Sequence, residues 1–242
     1  MKRILAIDTS SAWCSVALSL GGAAPLFRHQ PVAAGASQLL LPWIEELLLD
    51  SKLAMTDLDA IAIGVGPGAF TGVRLGVAAT QGLALSANLP VIPVASLDAI
   101  AMQLLSSANF QNVHPTQFVI AVDARMDEIY WAKYRYTSSD KEPQRLGDVH
   151  LSSPEMIDLE GAQYLAGSAI YAYGNRLFTL HQLAADRIDA DIGVTALGIL
   201  SCAMIALTKG KQIAIQELEP LYVRNKVALT TEEREHIFKK NI

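Results

Sequence analysis

Residues 61–76 of the chain read IAIGVGPGAFTGVRLG. The apolar run 61–65 is typical of a short buried strand. A glycine-rich loop follows, and 71–86 then carries small residues at helical spacing, including Gly72 and Gly76. A strand that enters a helix through a glycine-rich turn is common in α/β proteins, so this stretch predicts an α/β fold.

The loop itself, residues 64–72, formally fits the dinucleotide fingerprint G-x-G-x-x-A. That fingerprint needs an acidic residue about 20 positions later for the ribose, yet 73–97 contains no Asp or Glu. No Gly-Lys-Ser/Thr follows, so the loop is not a Walker A motif either. Two interpretations remain: a tight strand-to-helix turn, or an anion site at the helix N-terminus that includes Gly66 and Gly68.

The rest of the first half supplies strands at 4–7, 13–20, 26–32 and 90–94. Ser37 is a candidate N-cap for a helix that reaches Asp50, with Leu40, Trp43 and Ile44 on one face. Ser96 is the candidate cap of a further helix ending near residue 105.

The pattern restarts after a polar segment at 106–116. Strands are predicted at 118–122, 128–136, 147–151 and 164–166, and helices near 154–161, 168–183 and 195–208. Each half opens with an apolar strand that ends in an aspartate, Asp8 or Asp123. This architectural repeat predicts two lobes, 1–106 and 107–223, with helix 195–208 packing back on the first lobe and a charged tail at 224–242. Each lobe is expected to be a mixed sheet flanked by helices, in the actin-like, ribonuclease H-like and sugar-kinase-like manner.

The composition is typical of a globular chain that does not bind nucleic acid by itself. Apolar residues make up 51% of the 242 residues, and the formal net charge is −5. The longest basic run is Lys239-Lys240, so no basic face for tRNA is predicted. The two cysteines form no motif, and no apolar stretch is long enough to cross a membrane, so the expected location is the cytoplasm.

The residues that could carry chemistry are sparse. Asp8 precedes Thr9 and Ser10, and Asp123 precedes Ala124, whereas an actin-like ATPase usually has a glycine after such an aspartate. These residues, with the loop glycines, form at most a remnant nucleotide or anion site, and they also fit ordinary turn carboxylates. The five histidines form no HxxxH pair, and no G-x-S-x-G is present, so no metal site or hydrolase nucleophile is predicted.

Two helices, 37–50 and 71–86, are apolar or small-residue-rich over much of their circumference. One explanation is that a sheet covers one side and the C-terminal helix covers the other. The alternative is that their outer faces pair with the same helices of another subunit.

Six stretches resemble the family called TsaB: 4–10, 40–44, 66–74, 81–84, 123–130 and 219–224. The third of them looks like the signature Gly-Pro-Gly-Ser-Phe-Thr-Gly-Val-Arg, with Ala69 in place of Ser. A further departure is Ala36, where the family often has His. The resemblance spans residues 4 to about 224, and the glycine signature is specific.

The resemblance implies two actin-like lobes and no catalysis by this chain. It implies a TsaD-like partner that carries the metal-binding HxxxH and transfers threonylcarbamoyl to adenosine 37 of tRNA, and a TsaE-like ATPase. It implies contact with tRNA only through the complex, no intrinsic cofactor, and ATP or ADP in the assembled complex. The resemblance does not decide whether the isolated chain forms a homodimer. The partner interface is then expected on the two helices, at Leu40, Trp43, Phe70, Val73, Arg74, Val77, Ala78 and Gln81.

Three alternatives differ in class. A free-standing actin-like ATPase or kinase needs phosphate-binding glycines after Asp8 or Asp123. A glycoprotease-like hydrolase needs a metal or nucleophile constellation. A homodimeric interaction module without a tRNA role differs from the favoured hypothesis only in its partner.

Overall fold

The computed structural model describes residues 2–32, 35–178 and 182–223, and the predicted tail 224–242 lies outside the described residues. The first half forms a five-stranded sheet with the order β3-β2-β1-β4-β5. Its strands are β1 (Ile4–Asp8), β2 (Trp13–Leu18), β3 (Leu26–Pro31), β4 (Ala60–Gly64) and β5 (Val91–Val94). Its helices are α1 (Ala36–Ser51), α2 (Phe70–Ala87) and α3 (Ser96–Leu104).

The second half contains another five-stranded sheet, with the order β10-β9-β6-β7-β8. Its strands are β6 (Gln117–Arg125), β7 (Glu128–Arg135), β8 (Gln144–Ser152), β9 (Leu165–Ala166) and β10 (Ile188–Asp189). Helix α4 (Ala108–Val113) precedes this sheet, α5 (Ala169–Tyr173) follows β9, and α6 (Ala196–Thr208) follows β10.

The two sheets have the same topology. In the first, β1 pairs antiparallel with β2 and parallel with β4; in the second, β6 pairs antiparallel with β7 and parallel with β9. Counted within each half, the strand order is third, second, first, fourth, fifth in both. The predicted α/β class with two mixed sheets is therefore confirmed, and the weak likeness between the halves reflects a repeated architecture.

Alternation along the strands of the first sheet separates two packing faces. Leu5 and Ile7 of β1 face α1 and α2, whereas Ile4 and Ala6 face α3 and α6. The α3 and α6 side continues into the second sheet, where Phe118, Ile120 and Tyr134 belong to the same buried cluster. The two sheets thus share one core through α3 and α6.

Some local predictions were wrong. α1 starts at Ala36 after Gly35, and α3 starts after Ala95, so neither Ser37 nor Ser96 is an N-cap. The segment near 154–161 holds only a short 3-10 turn, Pro154–Met156. Within the predicted helix 168–183, the described residues up to Phe178 form α5 and a 3-10 turn, because Gly174 takes a φ of 48° and ends α5. Among the described residues, no helix combines the length and hydropathy needed to span a membrane.

Candidate functional site

Asp8 ends β1 and is completely buried. The hydroxyl of Ser10 donates a hydrogen bond of 2.8 Å to its Oδ1 and lies 3.0 Å from the hydroxyl of Ser96. The Oδ2 atom of Asp8 is buried and has no hydrogen-bond partner among the described residues. Burial raises the pKa of Asp8 from 3.8 to about 6, against the smaller lowering effect of Ser10. The serine at the start of α3 thus contacts Ser10, which in turn bonds the carboxyl group, and it does not cap the helix.

The glycine-rich loop and α2 cover the residues that follow Asp8. The backbone N–H of Ala69 donates to the carbonyl of Ser10 at 2.6 Å, and the hydroxyl of Thr9 donates to the carbonyl of Gly72 at 2.7 Å. A Cβ atom at Gly68 or Gly72 would overlap the backbone of Ser10 or Thr9. These glycines therefore serve close backbone packing, which fits the tight-turn interpretation of the loop.

The predicted remnant nucleotide or anion site is not brought together as one open pocket. Asp8, Thr9, Ser10 and Gly66 are buried. The carboxylate of Asp123, in the second sheet, instead accepts hydrogen bonds from the Tyr173 hydroxyl at 2.9 Å and from the backbone N–H of Arg125 at 2.8 Å.

A cleft of about 210 Å³ lies between the glycine-rich loop, the β6–β7 hairpin and the C-terminal segment 221–223. Of the predicted anion-site residues, only Gly68 lines it. The lining is mostly apolar or aromatic: Pro67, Ala69, Phe70, Val73, Ala124, Tyr130, Leu221, Tyr222 and Val223, with Arg125. Within the described ranges, no three His, Cys, Asp or Glu side chains gather as metal ligands would.

The residues predicted for a partner interface divide into two sets. Leu40, Trp43, Val73 and Val77 are buried in the core between the first sheet, α1 and α2. Their side chains are therefore covered by this chain's own residues. The remaining four, Phe70, Arg74, Ala78 and Gln81, are exposed on α2.

Three of these exposed residues, Phe70, Arg74 and Gln81, contact the C-terminal residues 218–222. The guanidinium carbon of Arg74 lies 3.8 Å from the ring centroid of Phe70, and its Nε donates to the hydroxyl of Tyr222 at 3.0 Å. Gln81 donates to the carbonyl of Leu218 at 3.2 Å. These contacts fix the segment along one flank of α2.

Sequence reasoning missed several residues of the exposed face: Leu41, Leu49, Gly82, Leu85, Leu221 and Tyr222. Leu41 and Leu49 are eight residues apart on α1, and Ala78, Gly82 and Leu85 share the outer face of α2. Those on the helices could have been found from the sequence, because they are apolar positions that lie outside the main apolar stripe of each helix. The strongest stripe marks the side that packs on the chain's own sheet, so it misdirects a search for a partner surface.

The comparisons with known proteins agree with one another. Residues 29–226 match the family model described as TsaD, tRNA N6-adenosine threonylcarbamoyltransferase. The chain is 33% identical over 230 residues to the tRNA threonylcarbamoyladenosine biosynthesis protein TsaB of Escherichia coli strain K12, which covers 93% of this chain and 96% of that protein. The TsaB protein of Haemophilus influenzae is 33% identical over 231 residues, covering 93% and 94%. The solved structure of YeaZ from Pseudomonas aeruginosa superposes with a TM-score of 0.79 at 31% identity, covering 92% of this chain and 100% of that chain.

Proposed function

Because the chain belongs to the TsaB family of tRNA threonylcarbamoyladenosine biosynthesis proteins, we propose that it is the non-catalytic scaffold of a transferase complex. The complex attaches threonylcarbamoyl to adenosine 37 of tRNA. The catalytic partner is a TsaD-like chain, and a TsaE-like ATPase completes the assembly. The complex is proposed to act in the cytoplasm.

One observation supports the scaffold role above all: the exposed apolar face of α1, α2 and the C-terminal segment. Among the described residues, eleven large hydrophobic side chains are exposed, and six of them lie on these three elements. The six are Leu41, Leu49, Phe70, Leu85, Leu221 and Tyr222. Phe70, Leu221 and Tyr222 line the cleft beside the β6–β7 hairpin, and Leu41 and Leu49 line a groove beside α1 and α2. Exposed apolar surfaces of this kind are typical of protein–protein interfaces.

The covered state of Asp8 supports a role without catalysis. A phosphate group could approach Asp8, Thr9 and Ser10 only by displacing the loop glycines that pack on their backbone. We therefore expect no intrinsic cofactor, with ATP or ADP acting only in the assembled complex. Isothermal titration calorimetry of the isolated chain with Mg-ATP tests this, and a measured ATP affinity in the micromolar range would favour the free-standing ATPase hypothesis instead.

The tRNA is expected to contact the complex mainly through the other subunits. The chain has a formal net charge of −5, and several of its arginines are already engaged in this fold. Arg145 pairs with Asp98, and Arg176 pairs with Asp127 and Glu155. A chain with this net negative charge has little electrostatic attraction for the phosphate backbone of tRNA.

The interface is tested by Ala78→Arg. Ala78 is exposed on the outer face of α2, so the variant should fold normally and lose binding to the TsaD-like chain. The matched control is Ala172→Arg on α5, because Ala172 is an exposed helical alanine of the second half. Calorimetry with the purified TsaD-like chain should show wild-type affinity for the control alone.

A second variant separates surface from core. Val77→Arg places a charge at a side chain that is only 5% exposed, so it should destabilise the fold itself. If Ala78→Arg has the wild-type circular dichroism spectrum and melting temperature and still binds the TsaD-like chain normally, the proposed interface is wrong. Sedimentation velocity of the isolated chain shows in addition whether the same face supports a homodimer.

A further inference from the structure

The apolar cleft of about 210 Å³ separates the glycine-rich loop from the β6–β7 hairpin. Its walls come from within residues 67–73 and 124–130 and from the last described residues, 221–223. Apolar and aromatic side chains dominate these walls, and Phe70 and Tyr222 are 44% and 51% exposed. Exposed aromatic side chains around a cleft favour a cover of apolar side chains, because such a cover removes them from water.

The C-terminal segment is fixed on one wall of this cleft. The backbone N–H of Leu221 donates to the carbonyl of Val65 at 2.8 Å, just after the end of β4. The hydroxyl of Tyr222 accepts a hydrogen bond from Arg74, and Val223 packs against the core that the two sheets share. The chain that follows residue 223 therefore starts at the wall of the cleft and not at a distant surface.

The sequence after this wall opens with Arg-Asn-Lys-Val-Ala-Leu, residues 224–229, which lie outside the described residues. Within it, residues 227–229 are the first apolar run after the cleft wall. A β-turn needs four residues, and Asn225 is a residue type that turns favour, so the chain can reverse before this run. The next apolar pair, Ile237-Phe238, comes only after a charged stretch. Residues 227–229 are therefore the nearest apolar side chains in sequence that can return to the cleft.

The covalent connection favours this segment over other occupants of the cleft. A short flexible linker gives the attached segment an effective concentration in the millimolar range. A contact with a Kd of about 0.1 mM would then fill the cleft in about nine of ten molecules. A second copy of the chain, or an unrelated apolar peptide, at about 1 µM would need a far tighter contact to reach the same occupancy.

We propose that residues 227–229 of the same chain fold back into this cleft and close it. The run Val-Ala-Leu places two larger side chains on either side of a small one, so both larger side chains enter the cleft when the segment is extended. Val227 and Leu229 then insert between Phe70 of the first half and Tyr130 of the second half. The tail thus braces the glycine-rich loop against the β6–β7 hairpin. The inference concerns this chain alone and does not depend on a role in tRNA modification.

Cysteine cross-linking of the full chain tests this placement. One protein carries Ala69→Cys on the cleft wall and Thr230→Cys next to the proposed contact, and the control protein carries Ala78→Cys with the same Thr230→Cys. Ala69 and Ala78 are both exposed, but the helix separates them by about 13 Å. Burial raises the pKa of the native Cys14 and Cys202 thiols to about 11 and about 12, so these thiols react slowly at neutral pH. A short bismaleimide should link the first pair about tenfold faster than the control pair, and within a single chain.

Two substitutions in the tail of the first protein show whether the apolar contact is the cause. Leu229→Asp should slow the cross-link about tenfold, because a carboxylate would have to enter an apolar cleft. Ile237→Asp should leave the rate within about twofold, because Ile237 lies outside the proposed contact. Circular dichroism checks that each protein is folded.

Three results would overturn the inference. The first is an equal rate for the Ala69→Cys and Ala78→Cys proteins, and the second is a rate that Leu229→Asp leaves unchanged. The third is a cross-link between chains whose yield rises with protein concentration, because the tail of a second copy would then occupy the cleft. All of these measurements use the isolated chain, so their failure leaves the proposed binding to the TsaD-like chain and the proposed role in tRNA modification untouched.

Discussion

Asp8 stands at the end of the first strand, where the sequence pattern allows a remnant nucleotide or anion site. Its carboxyl group is buried, with one oxygen bonded to Ser10, and the other oxygen has no hydrogen-bond partner among the described residues. A buried carboxyl group is more stable in its neutral form, which is why its pKa is raised to about 6. The residue therefore couples stability to pH.

The sign of that coupling follows from the direction of the shift. The pKa of Asp8 is about 6 in the folded chain and 3.8 in the unfolded chain. The folded chain therefore holds the Asp8 proton more tightly, and this contribution to the free energy of unfolding is fully present below pH 3.8 and is lost as the pH rises through 6. The shift corresponds to about 3 kcal/mol. Asp8→Asn cannot ionise, so the free energy of unfolding of wild type should fall relative to that of the variant by about 2.5 kcal/mol between pH 4 and pH 7.5.

Urea unfolding of both proteins across this pH range measures the effect, and taking the difference cancels the contribution of the other carboxyl groups. A difference that stays constant with pH would mean that Asp8 ionises as easily in the fold as in the unfolded chain.

At the scale of the element, helix α2 has small residues on two sides for two different reasons. Its inner side, with Gly72 and Gly76, is small because Thr9, which follows β1, and Ile63 of β4 lie too close for a Cβ atom. Its outer side, with Ala78 and Gly82, is open: a Cβ atom at Gly82 would meet none of the described residues within 4 Å. The inner glycines therefore belong to the fold and the outer residues to the surface.

Two alanine substitutions distinguish the sides. Gly72→Ala should lower the free energy of unfolding by about 1–3 kcal/mol, because the added methyl group overlaps the Thr9 carbonyl. Gly82→Ala should raise it by about 0.5–1 kcal/mol, because alanine is the better helix former in open space. Urea unfolding at one pH measures both, and equal effects of the two substitutions would contradict this account of α2.

The sequence predicted this helix well and its partner surface only in part. The strand, the glycine turn and the helix follow from local pattern, since glycine spacing and apolar runs are visible in the chain. Which side of the helix stays exposed depends on the packing of α1 and the C-terminal segment, which are far away in sequence. That is why Val73 and Val77 were predicted beside Ala78, whereas the structure buries the first two.

At the scale of the whole molecule, the two sheets are joined by more than their shared core. Tyr134 of β7 donates a hydrogen bond of 2.7 Å to Asp98 of α3, and Arg145 of β8 lies 3.0 Å from the same carboxylate. The thiol of Cys202 on α6 contacts the carbonyl of Asp98 at 3.6 Å. Three elements outside α3 thus meet at one residue of the first half.

Because of these contacts between the two halves, we expect both halves to unfold in one cooperative transition. Trp43 reports on α1 and Trp131 on β7, and both are buried. In two variants that keep Trp43 or Trp131 as the sole tryptophan, with Trp13 also replaced by Phe, the fluorescence transition in urea should coincide with the far-UV circular dichroism transition. Separate midpoints for the two probes would show that each half is stable alone.

The repeat of the two halves could be predicted from sequence because each begins with an apolar strand ending in aspartate. The short helical pieces of the second half could not, since Gly174 and Pro154 break patterns that otherwise have helical spacing. Packing of helix 195–208 on the first lobe was predicted, and α6 contacts β1 although it lies about 190 residues later. The continuation of that core into the second sheet was not predicted, because local pattern does not show which residues of β6 and β7 meet α3 and α6.

The most direct measurement of the central claim is mass spectrometry of tRNA nucleosides from cells that lack this chain. The account predicts that threonylcarbamoyladenosine falls sharply, and that wild type and Ala172→Arg restore it while Ala78→Arg does not. An unchanged level after deletion would contradict the role in tRNA modification. Full restoration by Ala78→Arg would contradict the outer face of α2 as the surface through which the chain acts.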